Sequence, residues 1–144
     1  MIGLKSLTVL TGSVLMLIGA CGGGTSVASD ISDSSVQEAY EILQSNVTNA
    51  GFVVLDIRTP KEYAAGYIED AINIDYYAST FRDDVDELDK NKTYLVYCRT
   101  ANRSGAAMPI FEELGFETVY NMIGGIVAWQ AAEYPIVGLT QPSM

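Results

Sequence analysis

The stretch YLVYCRTANRSGAA, residues 94–107, predicts a buried strand, a tight loop and a helix. Its first four residues are aliphatic or aromatic and stop abruptly at polar ones, which is typical of the carboxyl end of a buried strand. The small residues from Ser104 onward then begin the helix. In open α/β sheets, ligands bind at this edge, in the loops that follow the strands. We therefore expect the functional site at residues 98–103.

Cys98 opens this loop and is the candidate nucleophile. Backbone N–H groups of a loop that enters a helix point into its concavity, and the helix dipole adds positive potential, so the thiol should ionise easily. Arg99 and Arg103 favour the thiolate further. We expect an exposed thiolate that attacks a soft electrophile and lies beside a bound anion. The alternative is a buried structural cysteine, since free cysteine is among the most buried residue types.

Patterns on both sides of the loop predict alternating strands and helices. Further strands are expected at residues 52–57, 72–74 and 118–120, and further helices after 35, after 59, around 83–88 and after 124. Ser35 and Thr59 each precede a glutamate by three residues, which is the spacing of a capping box. Pro109 should kink the helix after the loop near Gly105. The alternation favours a parallel α/β sheet with helices on both faces.

Four ordered blocks of sequence resemble the rhodanese family of sulfurtransferases over roughly residues 34–137. They are Asp56–Tyr63, Gly66–Ile68 with Ala71–Ile74, the loop 98–103, and Asn121–Trp129. Two positions depart from the family pattern. Tyr67 stands where a histidine is common, and Ala101 stands where the loop often has glycine. If position 101 needs a positive φ, alanine there costs about 1 kcal/mol.

The resemblance implies a three-layer α/β fold with a central parallel sheet of about five strands. It implies a sulfurtransferase in which Cys98 takes sulfane sulfur from a donor such as thiosulfate and passes it, as a persulfide, to a thiol or cyanide. Asp56 and Arg58 would form a structural pair near the site. No metal or organic cofactor is implied. The other loop residues would bind the substrate: Arg99, Thr100, Ala101, Asn102 and Arg103.

Other functions stay open at this stage. A persulfide carrier that docks a redox partner protein would keep Cys98 but turn over little with small donors. A phosphatase or arsenate reductase of similar fold would need a wider loop around the sulfur. A catalytically silent interaction domain would not need the thiol.

Composition limits the partners and the chemistry. The 144 residues carry a formal net charge of -10, which argues against nucleic acid as a partner. Histidine is absent, so Ser-His-Asp and Cys-His mechanisms are excluded. The two cysteines exclude a disulfide-rich scaffold. The acidic run 83–87 is expected to be a solvated helical face rather than a metal site. We expect a monomer that binds small sulfur-containing anions and thiol acceptors.

The amino terminus resembles an export signal of the bacterial lipoprotein type. Residues 1–20 contain one charge and a short apolar run, and small residues directly precede Cys21. This pattern predicts cleavage before Cys21, acylation of its thiol and attachment of an exported domain to a membrane through the lipid alone. An ordinary secretory signal or an uncleaved anchor is the alternative. We expect a flexible tether at 21–33, the folded domain at 34–138 and a short tail at 139–144.

Overall fold

The computed structural model describes residues 28–138, which form one sheet and the helices around it. The strands are β1 (Asp30–Ser34), β2 (Phe52–Asp56), β3 (Ile72–Asn73), β4 (Thr93–Tyr97) and β5 (Thr118–Met122). The helices are α1 (Val36–Ser45), α2 (Pro60–Ala64), α3 (Phe81–Asp86), α4 (Asn102–Glu113) and α5 (Gly125–Ala131). The predicted signal peptide, Cys21 and the predicted tail lie outside the described residues.

The five strands are all parallel and lie in the order β1-β5-β4-β2-β3. This confirms the predicted sheet. Because parallel strands end at one common edge, the loops after β2, β4 and β5 meet there. The central strand β4 lies between β2 and β5, so the residue that follows it has neighbours on both sides.

Alternate residues of β4 divide the core into two layers. Tyr94, Val96 and Cys98 face the cluster that includes Phe111 of α4, whereas Leu95 and Tyr97 face the cluster that includes Trp129 of α5. A strand presents successive side chains to opposite faces, so this alternation covers both faces of the sheet with helices. Trp129 is 1% exposed, and its indole Nε1 donates to the carbonyl oxygen of Pro135 at 2.9 Å.

Strand β1 corrects the predicted tether, which was expected to extend to residue 33. Residues 30–34 pair with β5 in parallel, and Asp30 N donates to the carbonyl of Glu117 at 2.7 Å. Ile31 packs against the core, and the carboxylate of Asp33 accepts a hydrogen bond from Asn121 Nδ2 at 2.8 Å. This polar segment is a strand because an unpaired edge of β5 receives it.

The predicted helix starts are confirmed at α1 and α2. In each, the hydroxyl of the residue before the helix accepts from the backbone of the glutamate three positions later, and that carboxylate accepts in return. The helix α4 continues through Pro109 to Glu113, and the kink near Gly105 stays a prediction. Helix α3 buries Phe81 and Val85 and leaves its acidic residues in solvent, as predicted.

Two kinds of feature are absent from residues 28–138. No described helix combines the length and apolar character that a membrane span needs. No group of histidine, cysteine, aspartate or glutamate side chains in this part of the chain is placed to hold a metal ion.

Ala101 precedes α4 with a φ of 74° and a ψ of 0°, in the left-handed region. A side chain with a Cβ is strained there, so we expect Ala101→Gly to raise the free energy of unfolding by about 1 kcal/mol. Ala106 is exposed within α4, so Ala106→Gly should lower it by about 1 kcal/mol. Urea unfolding of both variants measures the two effects. A loss of stability in both would show that position 101 is not strained.

Candidate active site

Cys98 directly follows β4 at the common edge of the sheet, and its side chain is buried. It is 1% exposed and belongs to the core cluster on the α4 face. The expectation of an exposed thiolate is therefore wrong. The residue continues the alternation of β4, so its side chain turns inward where the backbone leaves the strand. Burial alone would make this thiol inert, so its reactivity depends on the groups around the sulfur.

Hydrogen-bond donors from the loop and from the start of α4 surround the sulfur. The hydroxyl oxygen of Ser104 lies 3.5 Å from Cys98 Sγ. Burial is the largest single influence and raises the pKa of the Cys98 thiol. Hydrogen bonds from the Ser104 hydroxyl and from the backbone N–H groups of Ser104, Thr100 and Arg103 together outweigh it, so the pKa lies below its ordinary value. Hydrogen-bond donors thus stabilise the thiolate, and the charge of Arg103 also interacts with Cys98.

The start of α5 fixes the backbone of the loop. Ile126 N donates to the carbonyl of Cys98 at 3.0 Å, and Val127 N donates to the carbonyl of Arg99 at 3.2 Å. The C=O and the following N–H of a trans peptide point in opposite directions. Because the carbonyl of Arg99 accepts a hydrogen bond from α5, the N–H of Thr100 points the other way and donates to the sulfur.

Gly125 allows this close approach between α5 and the loop. Its φ is 58°, and a Cβ at this position would lie 2.5 Å from the carbonyl oxygens of both Cys98 and Arg99. No side chain fits at that distance. The backbones of α5 and the loop are therefore in direct contact at Gly125.

Arg103 is engaged by a side chain from α2. Its Nη1 and Nη2 atoms donate to Oε2 and Oε1 of Glu62, both at 2.8 Å. The ring of Tyr77 lies under the guanidinium, with its centroid 5.4 Å from Cζ. The hydrogen bonds from Arg103 are the main cause that lowers the pKa of Glu62, to about 2. The predicted role of Arg103 in holding a donor's oxyanion stays a prediction.

The other predicted loop residues lie at the mouth of the site. Arg99, Thr100 and Asn102 are exposed, and Ala101 is half-buried. Within residues 28–138, Arg99 makes no salt bridge, unlike Arg103. It is thus the loop cation that a solute can reach.

Asp56 and Arg58 form a buried ion pair behind the loop. Arg58 Nη2 donates to Asp56 Oδ2 at 2.6 Å and to the carbonyl of Gly66 at 2.7 Å. Its guanidinium carbon lies 5.6 Å from the ring centroid of Tyr97, the last residue of β4. The pair links the ends of β2 and β4 to the segment after α2, so its role in this structure is to hold these segments together. Tyr67, in that segment, stacks on Tyr63 with ring centroids 4.2 Å apart.

Two residues of the site were missed by reasoning from the sequence. Ser104 was assigned only to the helix, although a hydroxyl six residues after the cysteine could have indicated a donor. Glu62 was assigned only to a capping box, and its pairing with Arg103 spans 41 positions of sequence. No local pattern indicates such a long-range contact.

The packing of Gly125 generates a test with a matched control. We expect Gly125→Ala to raise the pH midpoint of Cys98 alkylation by iodoacetamide, because the added Cβ displaces the loop carbonyls and with them the N–H donors. Gly115 also has a positive φ, of 82°, but a Cβ there would have nothing within 4 Å. Gly115→Ala should therefore cost backbone strain alone, about 1 kcal/mol, and leave the midpoint unchanged. Equal midpoints in both variants would contradict the proposed contact.

Comparisons with known proteins agree with this geometry. A sulfurtransferase from Allochromatium vinosum is 36% identical over 85 residues, which cover 59% of this chain and 78% of that protein. The thiosulfate sulfurtransferase GlpE from Pseudomonas entomophila is also 36% identical over 85 residues, covering 59% of this chain and 75% of that protein. The crystal structure of a rhodanese-related protein from Thermoplasma volcanium is 33% identical, with a TM-score of 0.62, and the match covers 74% of this chain and 97% of that one.

The family model of the rhodanese-like domain matches residues 35–132, which include every element from α1 to α5 and the whole loop around Cys98. With the parallel five-stranded sheet and the thiol at its carboxyl edge, the match shows that this chain belongs to the rhodanese-like domain family.

Proposed function

We propose that this protein is a sulfurtransferase that carries sulfane sulfur on Cys98 between a small donor, such as thiosulfate, and a thiol or cyanide acceptor. The observation that carries the proposal is the environment of the thiol. It is buried, its pKa is nevertheless lowered, and the groups that lower it are hydrogen-bond donors grouped around one sulfur atom. Such a site suits a thiolate and, afterwards, the anionic outer sulfur of a persulfide.

The first step is attack of the Cys98 thiolate on the outer sulfur of the donor. A bond forms between Sγ and that sulfur, the S–S bond of thiosulfate breaks, and its electron pair leaves with sulfite. The persulfide then carries the single negative charge that the thiolate had. In the second step the acceptor attacks the outer sulfur, and the electron pair of the persulfide bond returns to Cys98.

The N–H groups of Thr100, Arg103 and Ser104 support both steps. They donate to the sulfur before the attack, and the same concavity would receive the developing charge as the bond is made. The lowered pKa of the Cys98 thiol favours the thiolate, so the proposed reaction does not call for a histidine as general base. The relatives named as sulfurtransferases support this reaction class.

Cys98→Ser tests the mechanism directly. We expect the full chain to gain one sulfur atom in its intact mass after incubation with thiosulfate, and the serine variant to gain none, since an alkoxide does not form a persulfide. A Cys21→Ser variant should still gain the sulfur, because it retains Cys98, the only described cysteine. Sulfur transfer to cyanide by the Cys98→Ser variant, with its circular dichroism unchanged, would overturn the proposal.

We also propose that the protein is exported and anchored by a lipid on Cys21. The short apolar segment, the small residues before the cysteine and the glycine-rich stretch after it support this. Growth with a radiolabelled fatty acid in a bacterium that processes lipoproteins should label the wild type but not Cys21→Ser. An unlabelled wild type in the same host would contradict the anchor.

A further inference from the structure

The carboxylate of Glu62 serves two structural roles at once. Its Oε2 atom accepts from Thr59 N at 3.0 Å and from Thr59 Oγ1 at 2.9 Å, which closes the capping box of α2. The same carboxylate receives both terminal nitrogens of Arg103 at 2.8 Å. With its orientation fixed from the α2 side, Glu62 holds the guanidinium in a bidentate pair. The pair is largely buried, with the Arg103 side chain 13% and the Glu62 side chain 29% exposed.

This pair removes a positive charge from the site. Glu62 has a pKa of about 2, so it is ionised at any pH at which the enzyme would work and neutralises Arg103. Arg58, the other arginine near the loop, is neutralised by Asp56 in the same way. Of the arginines near the thiol, Arg99 alone is free of a salt bridge within residues 28–138.

The electrostatic balance at the site therefore disfavours highly charged donors. The chain has a formal net charge of -10, and a dianion such as thiosulfate approaches against that field with one free loop cation in its favour. The neutral donors of the concavity, which are N–H groups and a hydroxyl, stabilise one negative charge on sulfur equally well whichever donor delivered it. A donor with less charge avoids the repulsion and loses none of the stabilisation.

We propose that Glu62 is a specificity-determining residue, which by neutralising Arg103 directs the site toward sulfane donors of low negative charge, of the hydropersulfide class RS–SH, over thiosulfate. The inference rests on sulfur transfer by Cys98 as proposed above. The Cys98 thiolate attacks the outer sulfur of RS–SH, and the S–S bond of the donor breaks. The electron pair leaves with the RS sulfur, which takes the proton and departs as RSH, so the persulfide on Cys98 carries the single negative charge.

Glu62→Gln is the variant that tests this. Glutamine is nearly isosteric, and its amide oxygen can still accept from Thr59 or Arg103, but the charge of Arg103 is no longer cancelled. We expect kcat/KM for thiosulfate to rise about tenfold, the effect of one added positive charge about 6 Å from a dianion in a water-like dielectric. With benzyl hydropersulfide as the second donor, which carries at most one negative charge, kcat/KM should rise no more than about threefold by the same reasoning.

The control is Glu113→Gln, which makes the same change in net charge at the other end of α4. Glu113 pairs with Arg82 on the surface at 2.9 Å, and both side chains are more than half exposed. This variant should leave the ratio of kcat/KM for the two donors at its wild-type value. A ratio that moves equally in both variants would show that overall charge, rather than Glu62, sets the preference.

Arg103→Gln is the second variant, and it should change the ratio of kcat/KM for the two donors in the direction opposite to Glu62→Gln. It leaves Glu62 uncompensated near the thiol, so the thiosulfate value should fall at least about threefold relative to the hydropersulfide value. If Glu62→Gln does not fold, Arg103→Gln tests the inference in its place. Equal losses with both donors in Arg103→Gln, or an unchanged ratio in a folded Glu62→Gln, would overturn the inference. Failure of Cys98 to gain sulfur from either donor would instead overturn the proposed function itself.

Discussion

The site depends on two hydrogen bonds from α5 to the carbonyls of Cys98 and Arg99. They fix which way the first two peptide units of the loop face, and peptide planarity then directs the N–H groups of Arg99 and Thr100 away from those carbonyls. A loop of this length without them would have several conformations, and few would place amides around the sulfur. The helix after β5 therefore organises the loop after β4, which explains why Gly125 has no room for a side chain.

Burial and hydrogen bonding shift the pKa of the Cys98 thiol in opposite directions, and hydrogen bonding has the larger effect. A buried thiolate in an apolar cluster would be destabilised, and Cys98 does belong to such a cluster. The donors offset this cost because α4 and the loop held by α5 already order them, and they need no rearrangement when charge develops. Burial would also protect the proposed persulfide from solvent, so the feature that opposes ionisation would help to preserve that intermediate. This balance depends on where the sulfur lies relative to α4, and not on any cationic side chain alone.

Local patterns predicted the parts of the fold that local physics decides. The end of β4 and the capping boxes at Ser35 and Thr59 are consequences of short segments, and each could be predicted from a few residues. Helix α4 was also predicted, but it begins at Asn102, two residues before the expected start at Ser104. Strand β1 could not, because DISDS is polar and becomes a strand through pairing with β5. The burial of Cys98 and the Glu62–Arg103 pair could not be predicted from the sequence for the same reason. Both depend on which distant segment packs against the loop, and a single sequence carries no local sign of that.

Ala101 shows that the loop conformation is imposed by its surroundings. Its own preference opposes the observed φ of 74° by about 1 kcal/mol, so the loop would not adopt this turn by itself. Contacts on both sides enforce it: α5 holds the backbone before Ala101, and Glu62 holds the side chain of Arg103 after it. Each of these hydrogen bonds is worth on the order of 1 kcal/mol, and together they exceed the strain at one residue. A glycine at this position would relieve the strain. It would also give the loop more accessible backbone conformations, so the geometry around the thiol would depend wholly on those contacts. Ala101 thus lowers the stability of the folded loop but also reduces the number of other backbone conformations that the loop can adopt. The arrangement around Cys98 results from both effects.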